Sequence, residues 1–359
     1  MMAENVMVAM SGGVDSSVAA WLLMEQGFQL CGATLKLFSN EDIGLEQSSR
    51  TCCSLADVAD ARSVAYKLGF EHFVFNFGLN FHQEVIRRFA QAYVEGETPN
   101  PCIDCNRYIK FDKLLERALL LNKDYIATGH YANRELDRKT GRYLLKKAKD
   151  PTKDQTYVLY TMTQEQLKRT LFPLGSLTKN QVRRLAEDQG LANAQKPDSQ
   201  DICFVQDGDY SAFLEKVLHI PSSPGPITDR AGNLLGSHKG IIHYTVGQRK
   251  GLQLNAVRPK YVLAKDALSN TLVVGDESEL YSEEMTVKDI NLISIEQLTK
   301  PMEATVKLRH SQQEAPAILY PLPDNRISVR FSAAQRAITP GQAAVFYDGD
   351  TVIGGGRIT

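Results

Sequence analysis

Apolar residues in the first third of the chain alternate between short continuous runs and longer helical repeats, a texture that predicts strands alternating with helices. Val6 to Met10 is a continuous apolar run fit for a buried strand. Val14, Val18 and Leu22 then recur at helical spacing up to Gly27, a residue suited to ending a helix. Residues 28–38 predict a second strand and residues 54–69 an amphipathic helix, on which Leu55, Val58, Ala59, Arg62 and Ala65 step around a face. Residues 71–77 and 123–132 predict a third and a fourth strand. Such an order implies an α/β fold with a doubly wound parallel sheet, whose ligands sit at the carboxyl ends of strands. Leu35, Gly129 and His130 fall at such ends, although a strand-end histidine is more often a structural hydrogen-bonder.

The pattern shifts twice further on. Residues 162–219 include a helical stretch, TKNQVRRLAEDQGL, with Arg183 and Arg184 facing either solvent or RNA. From about residue 220, PSSPGP reads as a linker, and short β-type runs with turn signals follow. ITDRAGNLLG, YVLAKDALSNTLVVGD, YPLPDNRISVRF and VFYDGDTVIGG each read as a hairpin, with Asp348-Gly349 as a type I′ turn. The expected organisation is a doubly wound domain over 1–161, a small helical domain over 162–219 and an all-β, barrel-like domain over 220–359.

Composition narrows this little. The 359 residues are 43% hydrophobic and 23% charged, the balance of a globular protein of more than one domain. A net charge of −1 neither supports nor excludes a nucleic-acid partner. The six cysteines fall in clusters rather than as a disulfide framework, so they read as reduced thiols or ligands. Cys31 lies in a strand pattern and is expected in the core, and Cys52 and Cys53 are expected to be structural. With no basic leader and no eighteen-residue apolar span, a cytoplasmic location without a membrane partner is expected.

Between the first strand and helix lies Ser11-Gly12-Gly13-Val14-Asp15-Ser16-Ser17. Two glycines let the backbone approach an anion, successive N–H groups form a nest, and the helix aims its positive end at the same point. No lysine follows the glycines, so this is not a loop of the G-x-x-x-x-G-K-[ST] type. The plainer reading is a tight turn with Asp15 as the helix N-cap. The string closely resembles the loop of the ATP-pyrophosphatase superfamily. That likeness implies an ATP site built from Ala9, Met10, Ser11, Gly12, Gly13, Val14, Asp15, Ser16, Leu35 and Gly129, with Asp15 helping to hold Mg²⁺.

TPNPCIDCN places Cys102 and Cys105 behind two prolines. Pro99 and Pro101 stiffen the approach, and a helix is expected only after them. A thiol at such a helix start, near Arg107 and Lys110, is expected to ionise readily. Half of a zinc site, a redox dithiol and a nucleophile with a helper all remain open, with Cys203 and the Cys52-Cys53 pair as further donors.

Eight blocks occur in order: AMSGGVDSSVAA, CCSLADVADARSVAYKLG, GETPNPCIDCNRYIKF, YIATGHYA, KDQTYVLY, KPDSQDICFV, YTVGQRKGL and AITPGQAAVFYDGDTVIGGGRI. Together they resemble the tRNA-specific 2-thiouridylase family over nearly the whole chain. The resemblance implies ATP-dependent replacement of the C2 oxygen of a tRNA wobble uridine by sulfur, with a cysteine desulfurase or sulfur-relay protein as donor. It implies that Cys203 carries a persulfide, that Cys105 is the nucleophile, and that a Cys105–Cys203 disulfide forms and is later reduced. Asn100, Pro101 and Cys102 would meet the flipped base, and Lys153, Asp154, Gln155, Arg309 and His310 the tRNA, with Arg249 and Lys250 as further charges. Many family members carry an aspartate where this chain has Cys102. Three thiols leave open a [4Fe–4S] cluster on Cys102, Cys105 and Cys203 as the sulfide source. The basic run from Arg134 through Arg138, Lys139, Arg142, Lys146, Lys147 and Lys149 to Lys153 is either a solvated face or a phosphate track. Another adenylating tRNA-modifying enzyme, or an RNA-binding metalloprotein without turnover, are the alternatives.

Overall fold

The computed structural model describes residues 4–44, 55–197, 202–205, 208–255 and 257–359. Cys52, Cys53 and Ser54 lie outside them. Strands β1 (Asn5–Ala9), β2 (Gln29–Lys36), β3 (His72–Asn76) and β4 (Tyr125–Ala127) form a parallel sheet. After the hairpin β5 (Asn133–Leu136) and β6 (Tyr143–Lys146), the two-residue β7 (Thr170–Leu171) completes it in the order β3-β2-β1-β4-β7. Strand alternation explains the continuous apolar run of β1. Val6 and Val8 enter the cluster under α1 (Val14–Glu25) and α2 (Leu55–Leu68), while Met7 points to the opposite cluster, with Phe111, Leu114 and Ala118. Cys31 is buried in that second cluster, as expected. The strand order reverses between β1 and β4, which opens a crevice at their carboxyl ends.

Two further helices shape that crevice. α3 (residues 78–94) and α4 (residues 101–120) each run through α- and π-helical turns without a break. Pro101 is the first residue of α4, where its missing N–H is no loss, and the Asn100 side chain accepts the Cys102 N–H at 3.1 Å. Cys102 and Cys105 therefore stand on the helix itself, not on a loop ahead of it. Helices α5 (Gln164–Lys168), α6 (Lys179–Asp188) and α7 (residues 210–217) follow.

The region beyond residue 220 is built of two sheets. Strands β8 (Gly225–Thr228), β9 (Leu234–His238), β10 (Tyr261–Asp266) and β11 (Thr271–Gly275) pair in the order β10-β11-β8-β9. Strands β12 (Tyr281–Leu292), β13 (Met302–Lys307), β14 (Ala315–Leu322), β15 (Arg326–Arg336), β16 (Ala343–Asp348) and β17 (Thr351–Ile358) close into a barrel through the β12–β17 pairing. All four expected hairpins form. The last turn differs from expectation. Asp348 pairs with Thr351, so Gly349-Asp350 is the two-residue loop, and only Gly349 has positive φ. The paired positive φ values of a type I′ turn occur instead at Asp324 and Asn325.

β17 also pairs with β6, through Thr351 and Lys146, joining the barrel to the first half of the chain. Much of the basic run is spent on this junction. Lys147 pairs with Glu314 at 2.7 Å and donates to the Gly349 carbonyl at 2.9 Å, and Arg142 donates to the Ile293 carbonyl at 2.8 Å. Arg134 donates to the Lys168 carbonyl and Lys146 pairs with Glu135, which leaves Arg138, Lys139 and Lys149 as exposed members of the run. Among the described residues, no helix is long and apolar enough to cross a membrane.

Tyr157, fully buried, donates toward the carbonyls of Leu308 and Ala343 at 3.2 and 3.0 Å. Tyr157→Phe would strand two buried acceptors and should lower unfolding stability by about 1–3 kcal/mol. An unchanged denaturant midpoint would contradict that bridging role.

Candidate active site

The crevice at the sheet reversal holds a cavity of about 440 Å³. Ala9, Met10, Ser11, Gly13, Val14, Asp15 and Ser16 line it from the β1–α1 connection, Leu35 from the end of β2, and Gly129 from beyond β4. Helix α1 begins at Val14 with Gly13 as N-cap, so Asp15 lies in the first turn and is not the cap. No side chain caps this terminus among the described residues. Gly12 has φ +73°, and a Cβ there would collide with the Asp57 carbonyl. A Cβ on Gly129 would sit 2.8 Å from the backbone of Asp15 and Ser16. The Ser16 hydroxyl accepts the Ser11 N–H at 3.3 Å and donates to the Gly13 carbonyl at 3.0 Å, which fixes the curl of the loop.

Residues beyond the motif hold this cradle, and sequence reasoning missed them. Lys179 reaches the Asp15 carboxylate at 2.7 and 2.8 Å, and the Tyr131 hydroxyl donates to the same group at 2.7 Å. Lys179 is the first residue of α6, whose start is fixed by a Thr178–Gln181 capping box, and its backbone N–H is taken by Asp150 at 3.0 Å. That capping box was the available signal. Lys196 bonds Asp57 at 2.6 Å, Asp60 at 2.7 Å and the Gly12 carbonyl at 3.2 Å. The buried Asn193 donates to the Gly12 carbonyl at 3.0 Å and to the Ser17 hydroxyl at 2.8 Å. Arg183 donates toward the carbonyls of Ala194 and Lys196 and so braces this segment, while Arg184 is exposed. The Asp15 carboxylate lines the cavity while accepting from Lys179 and Tyr131, and it is an oxygen donor of the kind magnesium takes beside phosphate oxygens and water.

The thiols face the same space. Cys102 and Cys105 line the cavity from α4, and Cys203 lines it from the short described segment 202–205. Cys105 is 9% exposed, and both it and Cys203 pack into one apolar cluster with Phe81, Phe204 and Ile109. The expected easy ionisation of Cys105 is corrected here. Burial pushes its thiol up to about 11, outweighing the favourable charge of Lys110. Although the three thiols share a cavity, no three His, Cys, Asp or Glu side chains converge as metal donors among the described residues.

The remaining expected residues divide into two groups. Pro101, Lys153 and Gln155 line the main cavity. Asn100, Arg309 and His310 line a second depression of about 320 Å³ together with Thr98 and Gln342. Arg309 is half-buried and donates to the Ala337 carbonyl and the Thr339 hydroxyl at 2.9 and 3.0 Å, leaving His310 exposed beside it. Asp154 is buried, its carboxylate accepting from the Ala148 N–H and the Thr156 hydroxyl, so it supports the 153–155 loop from beneath. His130 bonds Thr128 at 2.8 Å and packs on Phe111 and Phe172. Burial holds it well below the usual histidine range. Arg249 and Lys250 are exposed.

The loop ahead of α4 is tied to both β modules. Lys265 of β10 donates to the Glu97 carbonyl at 3.2 Å. From the barrel, Arg357 and Lys288 meet the Glu97 carboxylate at 3.2 and 3.5 Å. The Thr98 N–H donates to the Pro340 carbonyl at 2.9 Å, and the Gln342 side chain donates to the Thr98 carbonyl at 2.7 Å.

A parallel sheet with an anion-binding cradle at its reversal, opening onto cysteine side chains, defines a doubly wound α/β domain built for phosphate chemistry beside thiols. Family profiles match throughout: "tRNA methyl transferase HUP domain" over residues 4–207, "tRNA methyl transferase PRC-barrel domain" over 211–276 and "Aminomethyltransferase beta-barrel domain" over 282–358. The tRNA-specific 2-thiouridylase MnmA of Acetivibrio thermocellus is 53% identical, covering 99% of both chains. Its namesake in Clostridioides difficile is 48% identical, covering 99% of this chain and 98% of its own. The chain belongs to the tRNA-specific 2-thiouridylase family. Among solved structures, a 4-thiouridine synthetase in complex with RNA and bound ATP is a distant likeness, at a TM-score of 0.37 and 17% identity, covering 60% of this chain and 50% of that one.

With its thiol raised to about 11, Cys105 should react slowly with iodoacetamide at neutral pH. Its rate should climb about tenfold per pH unit toward that value. Mass-spectrometric labelling that levels off near the ordinary thiol value of about 8.5 would contradict the buried setting.

Proposed function

We propose that the protein is an ATP-dependent tRNA-uridine 2-sulfurtransferase. The observation that carries this reading is a single cavity shared by the Gly-Gly cradle and the thiols of Cys105 and Cys203. Its size suits a nucleotide-scale ligand. The N–H groups of residues 11–16 and the positive end of α1 hold the phosphates, and Ala9, Met10, Leu35 and Gly129 wall the nucleotide. Asp15 would hold Mg²⁺, which supplies positive charge against the phosphate oxygens. Lys179, already bonded to Asp15, orients that carboxylate.

The uridine base leaves its stack and enters beside Asn100, Pro101 and Cys102. Its C2 oxygen attacks the α-phosphorus of ATP, and the α–β P–O bond breaks to release pyrophosphate. The terminal sulfur of a persulfide on Cys203 then attacks C2, and AMP departs with the former C2 oxygen. The Cys105 thiolate attacks the Cys203 sulfur, and the S–S bond breaks with its electron pair passing to the sulfur now on C2. Thiolated uridine leaves, and a Cys105–Cys203 disulfide remains to be reduced by a dithiol. Two thiolates thus supply the two electrons that convert sulfane sulfur to the thiocarbonyl. Lys153, Gln155, Arg309 and His310 contact the tRNA, with Asp154 shaping their loop. A cysteine desulfurase or relay protein charges Cys203, and the reaction takes place in the cytoplasm.

Asp15→Asn should reduce tRNA-stimulated pyrophosphate release by about 100-fold or more. Filter-binding affinity for tRNA should change less than about twofold. Cys105→Ser and Cys203→Ser should each abolish 2-thiouridine in tRNA digests while pyrophosphate is still released. Full thiolation by either variant would exclude the thiol relay. If tRNA failed to stimulate pyrophosphate release, a non-catalytic RNA-binding role would replace this one.

A further inference from the structure

Among the described residues, Cys102 is the cavity thiol that the relay leaves without a chemical task. The Cys105 N–H donates to the carbonyls of both Cys102 and Pro101, so the two cysteines stand one turn apart on α4. Residues three apart on a helix lie on one face, with Cα atoms about 5 Å from each other. That falls within the span of roughly 4.4–6.8 Å that a disulfide bridges. Their surroundings differ sharply. Cys105 is buried in the apolar cluster that Cys203 packs against, whereas Cys102 is exposed in the first turn of the helix. Cys203 is half-buried against the same cluster, so a Cys105–Cys203 disulfide would be shielded on its Cys105 side, whereas a bridge to Cys102 presents an exposed sulfur to a protein-sized reductant. Cys102 borders both that interior and the solvent.

We propose that Cys102 is a resolving thiol that moves the disulfide from the interior to the surface after each sulfur transfer. This rests on the reading of Cys105 and Cys203 given above. The Cys102 thiolate attacks the Cys105 sulfur, the Cys105–Cys203 bond breaks, and its electron pair leaves on Cys203. The proton lost by Cys102 is balanced by the one Cys203 can take up, so the exchange involves no net oxidation. Cys203 becomes ready for a new sulfur, and a Cys102–Cys105 disulfide stands at the helix start. An external dithiol protein then attacks the exposed Cys102 sulfur, Cys105 leaves as thiolate, and the second thiol of the reductant resolves the mixed disulfide. Both electrons come from that dithiol.

The test follows one turnover. Protein charged by a cysteine desulfurase and L-cysteine is desalted, mixed with ATP, Mg²⁺ and unmodified tRNA, then quenched with N-ethylmaleimide and mapped without reduction. The full chain should yield a Cys102–Cys105 bridge with Cys203 alkylated, and Cys102→Ser should yield the Cys105–Cys203 bridge. At steady state with a thioredoxin-type protein as reductant, Cys102→Ser should slow thiolation by about tenfold or more. A small phosphine that enters the cavity should restore most of that loss, a dependence on reductant size that a structural role would not produce. Recovery of the Cys105–Cys203 bridge from the unsubstituted protein, with Cys102 alkylated, would overturn the proposal. So would an equal slowdown with both reductants. Thiolation by Cys203→Ser, with no bridged pair in the unsubstituted protein, would overturn the relay itself and this proposal with it.

Discussion

The contact between the exit of β4 and the first turn of α1 governs the rest of the molecule. Gly129 passes so close to the Asp15–Ser16 backbone that any side chain would push the helix start away from the sheet reversal. Gly12 meets the same limit against Asp57 on the opposite side. Pressed from both sides, the loop keeps a curl closed by the Ser11–Ser16 and Ser16–Gly13 hydrogen bonds. Asn193, Lys196 and Lys179 then pin it from positions 164 to 184 residues away in sequence. The cradle is therefore a tertiary object, although its motif is local.

The thiols are positioned by unlike means. Cys105 rides on a continuous helix, buried among aromatic rings, and its burial keeps it protonated and quiet until the surroundings change. Cys203, which lies between α6 and α7 in the chain, packs against the same cluster. The loop that launches the helix is tied to two β modules at Glu97 and Thr98. Lys265, whose ammonium is pushed down to about 8 by burial, contributes one of those ties and loses solvation to do so. The setting of Cys102 and Cys105 consequently depends on modules of which no described residue lines the cavity.

Much of this was legible in the chain. The run from Val6 to Gly27 announced strand, loop and helix because each step is local: apolar continuity, paired glycines, helical spacing and a glycine stop. The four hairpins were legible for the same reason. Other features were not. The acidity of Cys105 was misjudged because helix position and nearby cations are visible in sequence, whereas desolvation by Phe81 and Phe204 is not. The start of α4 was placed too late because Pro101 was read as a barrier, when proline is well suited to the first helical position. The basic run suggested a phosphate track, yet Arg142 and Lys147 serve carbonyls and a glutamate of a barrel that begins over a hundred residues later. Charge counts cannot reveal such partners.

The seam between β6 and β17 carries a consequence for how the polypeptide matures on the ribosome. A hairpin made early must wait while some two hundred further residues are synthesised before its outer edge finds a neighbour. Until then an unsatisfied strand margin stands open to other chains, and long-range pairings of this kind form slowly. The nascent protein thus passes through an interval of vulnerability to aggregation that ends only when β17 has emerged and the seam is sewn shut.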